Sequence, residues 1–314
     1  MSSVNCVILN WRTAEMTVKA VEAAIVAMEG IEGAITVVDN DSQDGSFEAM
    51  SAAMAGWPRV RVLQSGRNGG YGAGNNHGIR AGLPGGERPD YVYILNSDAF
   101  PAPDAIRVLV AYLDAQPQVG FAGSHIHGPD GEPHTTAFRF PSIASEFEGA
   151  AQTGPVSRLL RRHIVAPPLP TQTGRVDWVA GASVLMRQSM LDQIGLFDEV
   201  FFLYFEETDL FLRAARAGWQ AVYVVESRVM HIGSVSTGMK QWRRVPSYWF
   251  ASRRHYFEKN HGRIYALGAL GAHVAGLGLY GLRVVLQRKK PHTPPYFFRD
   301  LVKHSLGTRR PQES

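Results

Sequence analysis

The chain has 314 residues, 45% hydrophobic and 19% charged, with 32 Lys and Arg against 28 Asp and Glu. This composition excludes a disordered or fibrous protein, and the length suits two domains or one large α/β domain. A single cysteine, Cys6, rules out an intramolecular disulfide and a cysteine-based zinc site and fits a reducing compartment.

Met1 leads straight into an apolar strand pattern with no basic segment before it, so no secretory signal is expected. Residues 4–9 read as a buried strand, and 13–28 carry apolar residues at helical spacing. Residues 34–38 form a second strand, β-branched and ending at Asp39, and 46–54 a second helix. A third strand over 60–63 is followed by a glycine-rich loop over 66–78. A fourth strand, 91–95, ends at Asn96-Ser97-Asp98, and 103–116 is helical with Pro103 near its first turn. Residues 125–175 are rich in Pro, Gly and His and read as irregular, with a short helix at 157–163. Residues 177–187 return as a strand. A helix begins over 189–194, another spans 206–217, and Gly218 ends it. A last strand, 221–225, is followed by 229–233. Strands alternating with helices predict βαβ units around a parallel sheet. Asn10, Asp39, Asn68 and Asp98 fall at or just past strand C-terminal ends, where open α/β sheets bind ligands.

In Asn96-Ser97-Asp98, extended geometry points Asn96 and Asp98 to one side. A carboxylate and an amide oxygen so spaced can hold Mg²⁺ or Mn²⁺, which would neutralise a diphosphate leaving group. The same tripeptide also suits a turn or a helix cap. The run Asp39-Asn40-Asp41-Ser42-Gln43-Asp44-Gly45-Ser46 offers acids and hydroxyls to a base and a ribose, or is a βα loop capped by Asp44 or Ser46. Over 66–78 the glycines let backbone approach a ligand and Arg67 can pair with phosphate, unless the segment is a flexible surface loop. Gly70, Gly72 and Gly74 do not make G-x-G-x-x-G and follow the third strand rather than the first, and no P-loop signature is present. Hydride transfer and P-loop NTPase chemistry are therefore not expected.

Phe202-Leu203-Tyr204-Phe205-Glu206-Glu207-Thr208-Asp209 puts three acids at a helix start, where they complement the helix dipole. Adjacent carboxylates after an apolar run also suit a general base, because burial and like charge raise one proton affinity. Asp209 and Arg213 form an i,i+4 pair. His231 gains interest as a ligand beside a second candidate such as Asp98.

The order of these motifs is more specific than any one of them. Asp39-Asn40-Asp41-Ser42, Asn68-x-Gly70-Tyr71-Gly72-x-Gly74, Leu95-Asn96-Ser97-Asp98, Val179-Ala180-Gly181, Phe197-Asp198-Glu199, Glu206-Glu207-x-Asp209-Leu210 and His231-x-Gly233-Ser234-x-Ser236 together resemble glycosyltransferase family 2. Within it they are similar to the bacterial rhamnosyltransferase-like branch, over most of the chain. The resemblance implies an α/β fold of GT-A type: a mostly parallel central sheet flanked by helices, with a C-terminal helical extension. It divides the chain into a transferase domain over 1–240 and a basic helical extension over 241–314. The nucleotide-binding half would be 1–120 and the acceptor half 121–240. The implied reaction is inverting transfer of a sugar, such as rhamnose from dTDP-rhamnose, from a nucleoside diphosphate sugar to a hydroxyl of a cell-surface glycan or lipid-linked acceptor.

By the same resemblance, Asn10, Asp39, Asp41, Arg67, Gly70, Gly74, Asn96 and Asp98 would bind the nucleotide sugar. Asp98 and His231 would hold a divalent cation, Mg²⁺ or Mn²⁺, and Trp178, Gly181 and Asp209 would line the acceptor side. Glu207 aligns with the Asp of the family's Glu-Asp pair, the expected base; since the pair here reads Glu206-Glu207, Glu206 is the other candidate. The family's D-x-D begins here with Asn96, which leaves one certain carboxylate for metal. A sugar nucleotidyltransferase and a non-catalytic nucleotide-sugar-binding protein are the alternatives.

Charge divides the chain. Residues 1–239 hold 17 basic and 25 acidic residues, net −8, and residues 240–314 hold 15 and 3, net +12. A basic tail suggests an anionic partner, or a solvated segment. Residues 264–282 contain no Lys, Arg, Asp or Glu. A helix of that length reaches about 28 Å, near the thickness of a bilayer's hydrocarbon core. Gly268, Ala272 and Gly276 allow close helix packing, and Arg283, Arg288, Lys289 and Lys290 suit anionic lipid. Membrane contact through 263–290, in-plane or spanning, is expected, beside a helix buried on the body or a dimer interface. No nucleic-acid partner is expected. These features fit a cytoplasmic enzyme, peripheral at the inner face of the cell membrane.

Overall fold

A computed structural model describes residues 2–233, 243–291 and 293–307. Its first part alternates as expected: β1 (Ser3–Asn10), α1 (Ala14–Ala27), β2 (Glu32–Asp39), α2 (Ser46–Ala53), β3 (Val60–Gln64), α3 (Gly70–Arg80) and β4 (Tyr91–Asn96). These strands are parallel in the order β3-β2-β1-β4. β1, β2 and β4 are buried on both faces, which is why they read as continuous apolar runs. In β1, Val4, Cys6 and Ile8 enter one core while Val7 enters the other; in β4, Tyr91, Tyr93 and Leu95 oppose Val92 and Ile94.

The chain continues through β5 (Ala99–Pro101), α4 (Ala105–Ala115), β6 (Val119–His127), β7 (Ala137–Phe138), α5 (Ile143–Ala151), α6 (Gly154–Leu159), a 3-10 turn at Arg161–His163, β8 (Gly174–Val176), β9 (Trp178–Val179) and β10 (Ser183–Arg187). Then come α7 (Gln188–Ile194), α8 (Glu206–Arg216), β11 (Gln220–His231), α9 (Ser247–His261), α10 (Arg263–Leu286) and α11 (Phe297–Leu306). The main sheet runs β3-β2-β1-β4-β10-β6-β11-β5, with β8 beside β11. Six of its nine strands point one way; β5, β8 and β10 oppose their neighbours. It is the mostly parallel sheet expected, and β7 and β9 form a separate ribbon.

Four local readings change. The expected glycine-rich loop is largely α3. Glycine costs helix stability, but here it permits contact: a Cβ on Gly74 would lie 2.4 Å from Leu9 Cδ1, and one on Gly78 2.5 Å from Val7 Cγ1. Residues 125–175 contain α5, started by a capping box in which Ser142 and Ser145 bond each other's backbone. The strand expected over 177–187 is two, β9 and the antiparallel β10. Segments 221–225 and 229–233 belong largely to one strand, β11, with a register shift between Val224 and Arg228. The tail helices pack on the body. Gly276 of α10 lies so close to α5 that a Cβ would sit 2.7 Å from both Phe147 O and Ala150 Cβ.

Candidate active site

Register brings the first polar residues together. Asn10 pairs with Asp39 across β1 and β2, and Leu9 pairs with Asn96 across β1 and β4, so three strand ends open on one edge. Asp39 is 1% exposed and surrounded by donors. Asn10 Nδ2 donates to its Oδ1 at 2.7 Å, Ser42 Oγ to Oδ1 at 2.6 Å, and the Ser42 N–H to Oδ2 at 3.0 Å. Asn10 is fixed in turn, because its Oδ1 accepts from Thr17 Oγ1 at 2.8 Å and from the Thr13 N–H at 3.2 Å. Asp41, at φ 58° in the left-handed region, accepts from Gln43 Nε2 at 3.1 Å. Thr13 and Thr17 are the members of this network that the sequence reading did not single out; their place at the start of the helix that follows Asn10 was the available signal.

The glycines and Arg67 also have partners within the protein. A Cβ on Gly70, at φ 85°, would lie 1.9 Å from Phe202 O, and the next residue, Tyr71, donates its N–H to that carbonyl at 2.9 Å. Packing alone thus gives Gly70 and Gly74 a reason to be bare. Arg67 is exposed and paired with Glu199 at 3.1 Å; Arg80 joins the same carboxylate at 2.8 Å.

At the end of β4, Asn96 is half-buried and Asp98 is 4% exposed. Asp98 Oδ1 lies 3.0 Å from His231 Nε2, and Oδ2 accepts the Gly233 N–H at 3.1 Å. Burial opposes the Asp98 charge, but the His231 bond and charge and these N–H groups prevail, holding the carboxyl below its usual range. Asp98 and His231, 133 residues apart, are therefore brought together as the sequence suggested. Ser234 and Ser236 of that motif lie outside the described residues. Among the described residues no third His, Cys, Asp or Glu joins the pair.

The acids at the start of α8 differ in access. Glu206 is 1% exposed, and its Oε2 has no partner. Burial pushes its carboxyl far up, and the neighbouring Glu207 charge adds to this. Glu207 is half-buried; burial raises it too, while the Gly181 N–H, donating to Oε1 at 3.0 Å, pulls back in part. Gly181 also accepts from Tyr71 Oη at 2.7 Å. A Cβ there would lie 2.5 Å from that hydroxyl and 2.8 Å from Glu207 Oε1, so a side chain at this position would displace both groups. Burial raises the Tyr71 hydroxyl, and Glu207, Glu206 and Asp98 each raise it further. Tyr71 thus marks the point where the α8 carboxylates and Asp98 share one field. It was quoted in the glycine motif without a role; being the bulky residue in that run was its signal.

On the expected acceptor side, Trp178 stacks on Phe138 with centroids 4.3 Å apart and donates to the Arg139 carbonyl at 3.0 Å. Asp209 is a correction. It is fully buried, with Oδ2 held by Arg213 and Lys259 and Oδ1 by Asn260, each at 2.8 Å. With both oxygens engaged, it joins α8 to α9 and offers nothing to an acceptor.

The profile described as "Glycosyltransferase like family 2" matches residues 3–257. The chain belongs to this family. The transferase is 32% identical over 215 residues to N-acetylglucosaminyl-diphospho-decaprenol L-rhamnosyltransferase of Mycobacterium tuberculosis, covering 65% of this chain and 68% of that one. It is 27% identical over 166 residues to rhamnosyltransferase WbbL of Escherichia coli, covering 51% and 61%. Its fold matches the mannosyltransferase PcManGT from Pyrobaculum calidifontis, solved with GDP-Man and Mn²⁺. That match has TM-score 0.56, 14% identity, and covers 96% of this chain and 85% of that one. The transferase has the GT-A fold and is a glycosyltransferase.

Proposed function

We propose that the transferase moves rhamnose, from dTDP-rhamnose, with inversion onto a hydroxyl of a lipid-linked glycan. The rhamnosyltransferase names of two relatives support the donor, and the decaprenol-linked substrate in one name supports the acceptor class. The observation that carries the reading is the unequal carboxylate pair at the start of α8. Glu206 is buried at 1% exposure, out of reach of an acceptor hydroxyl, and burial raises its carboxyl. Glu207 is accessible, is oriented by the Gly181 N–H, and has its proton affinity raised by burial. Glu207 accepts the proton of the acceptor hydroxyl. That oxygen bonds the anomeric carbon from one face while the carbon–oxygen bond to the nucleoside diphosphate breaks on the other. Asn10 and Asp39, pre-oriented by Ser42 and Thr17, take the nucleoside end.

A divalent cation fits the residues present. Asp98 and His231 offer a carboxylate and an imidazole nitrogen 3.0 Å apart. Cations such as Mg²⁺ or Mn²⁺ commonly use few protein ligands and complete their shell with water and substrate phosphates. When bound, the cation would neutralise charge developing on the leaving diphosphate. Thermal unfolding of the purified chain against a panel of nucleotide sugars tests the donor. dTDP-rhamnose with Mn²⁺ should raise the midpoint; a panel with no stabilising nucleotide sugar overturns the reading. Glu207→Gln should keep that shift and abolish transfer. Asp98→Asn should lose the Mn²⁺-dependent part of the shift.

A further inference from the structure

Helix α10 has 24 residues and a mean hydropathy of 1.5 over its apolar window, of which 22% is buried. Its inner face is committed to protein: Ala269, Leu270, Gly276 and Tyr280 are buried, and Gly276 meets α5 at van der Waals limits. The outer face is apolar and bare. Ile264 is 89% exposed, Val285 and Leu286 are 74% exposed, and Leu267, Leu279 and Leu282 are exposed between them. Charged residues flank the stripe: Arg263 precedes it and exposed Arg288, Lys289 and Lys290 follow, while Arg283, inside the helix, is turned to the body and donates to the Gln152 carbonyl.

Two occupants of this face meet physical objections. A spanning α10 would carry its inner-face partners into hydrocarbon. His273 Nδ1 lies 2.7 Å from Glu146 of α5, and Arg253 of α9 pairs with the same carboxylate, so charged groups on two further helices would follow. A second copy of the chain would bring two basic tails of net +12 together. An anionic bilayer answers both the apolar stripe and the flanking cations.

We infer that α10 lies in the plane of an anionic membrane surface, its outer stripe among the lipid chains and Arg263, Arg288, Lys289 and Lys290 at the headgroups. This surface is linked to the site: Ser252 Oγ of α9 donates to Leu203 O at 3.0 Å, and Lys259 of α9 reaches Asp209 of α8 at 2.8 Å. Glu207 lies in the first turn of α8, so membrane contact would fix the base relative to the lipid surface. That last consequence rests on the proposed function; the membrane face does not.

The test uses the full chain with phosphatidylcholine vesicles, with and without phosphatidylglycerol, and no donor or acceptor. Failure of the transferase reading therefore leaves it untouched. Co-flotation should require phosphatidylglycerol. Exchanging Arg288, Lys289 and Lys290 for Glu should weaken it on the order of a hundredfold. Leu282→Ser with Val285→Ser and Leu286→Ser, all at exposed positions, should abolish it with the circular dichroism unchanged. Arg263→Cys and Gln287→Cys, each made singly, should both label with an impermeant maleimide added outside the vesicles; Cys6 is fully buried and stays silent. Flotation indifferent to these changes, labelling of one end alone, or a dimer that the serine variant dissolves without lipid would each overturn the inference.

Discussion

At the scale of single residues, Glu206 and Glu207 are neighbours in sequence with different physical lives. Glu206 has an oxygen that touches no partner and is buried; Glu207 reaches the Gly181 N–H and an accessible face. For Glu206 the folded proton affinity is raised above the unfolded one. Its contribution to stability is therefore full below the unfolded Glu value and is lost as pH rises through the folded one. Glu206→Gln removes this dependence: its unfolding midpoint, relative to the parent, should rise more at alkaline than at acid pH. A gap that does not widen with pH would contradict a buried, protonated Glu206. Glu207 gives the opposite readout, in activity. The base must be ionised, so kcat/KM should fall as pH drops through a value above that of an ordinary Glu.

At the scale of elements, the glycines of α3 are the clearest case of a segment whose sequence misleads. Glycine ordinarily marks a turn, yet Gly74 and Gly78 are helical because β1 leaves no room for a Cβ. Gly78→Ala gains about 1 kcal/mol in helix propensity but drives a methyl into the stiff side chain of Val7, at an overpacking cost of about 1–3 kcal/mol. Gly149 of α5 is an internal control, since a Cβ there meets nothing within 4 Å. Urea unfolding should move down for Gly78→Ala and up, by about 0.5–1 kcal/mol, for Gly149→Ala. The strands were legible for a related reason: β1, β2 and β4 are buried on both faces, and burial leaves an unbroken apolar run. Asn10, Asp39, Asn96 and Asp98 were legible because polar residues at the ends of such runs stand out. Helix α5 was not, because it sits among Pro, Gly and His. Nor was the enclosure of Asp209, because Lys259 and Asn260 lie 50 and 51 residues away in sequence.

At the scale of the whole molecule, one carboxylate of the body ties down two tail helices at once. Glu146 of α5 accepts from Arg253 of α9, 107 residues on, and from His273 of α10, 127 residues on. No local pattern announces a contact of that span: the helical extension was legible in the sequence, but its attachment to α5 was not. Burial opposes the Glu146 charge, but the Arg253 charge and the His273 bond outweigh it and hold the carboxyl below its usual value. Its stabilising contribution is therefore present above the unfolded Glu value and is lost as pH falls through the folded one. Arg253 is almost wholly buried beside it, so Arg253→Met leaves the buried carboxylate with His273 as its remaining ionisable partner, at an expected cost of up to about 3–5 kcal/mol. Adding Glu146→Gln removes the under-compensated charge and should recover much of that loss, because the penalty lies in the buried ion rather than in the missing attraction. Hydrogen exchange should locate the loss in α5, α9 and α10, while β1, β2 and β4 keep their protection. Equal loosening of those strands would mean that the tail and the nucleotide half unfold as one unit.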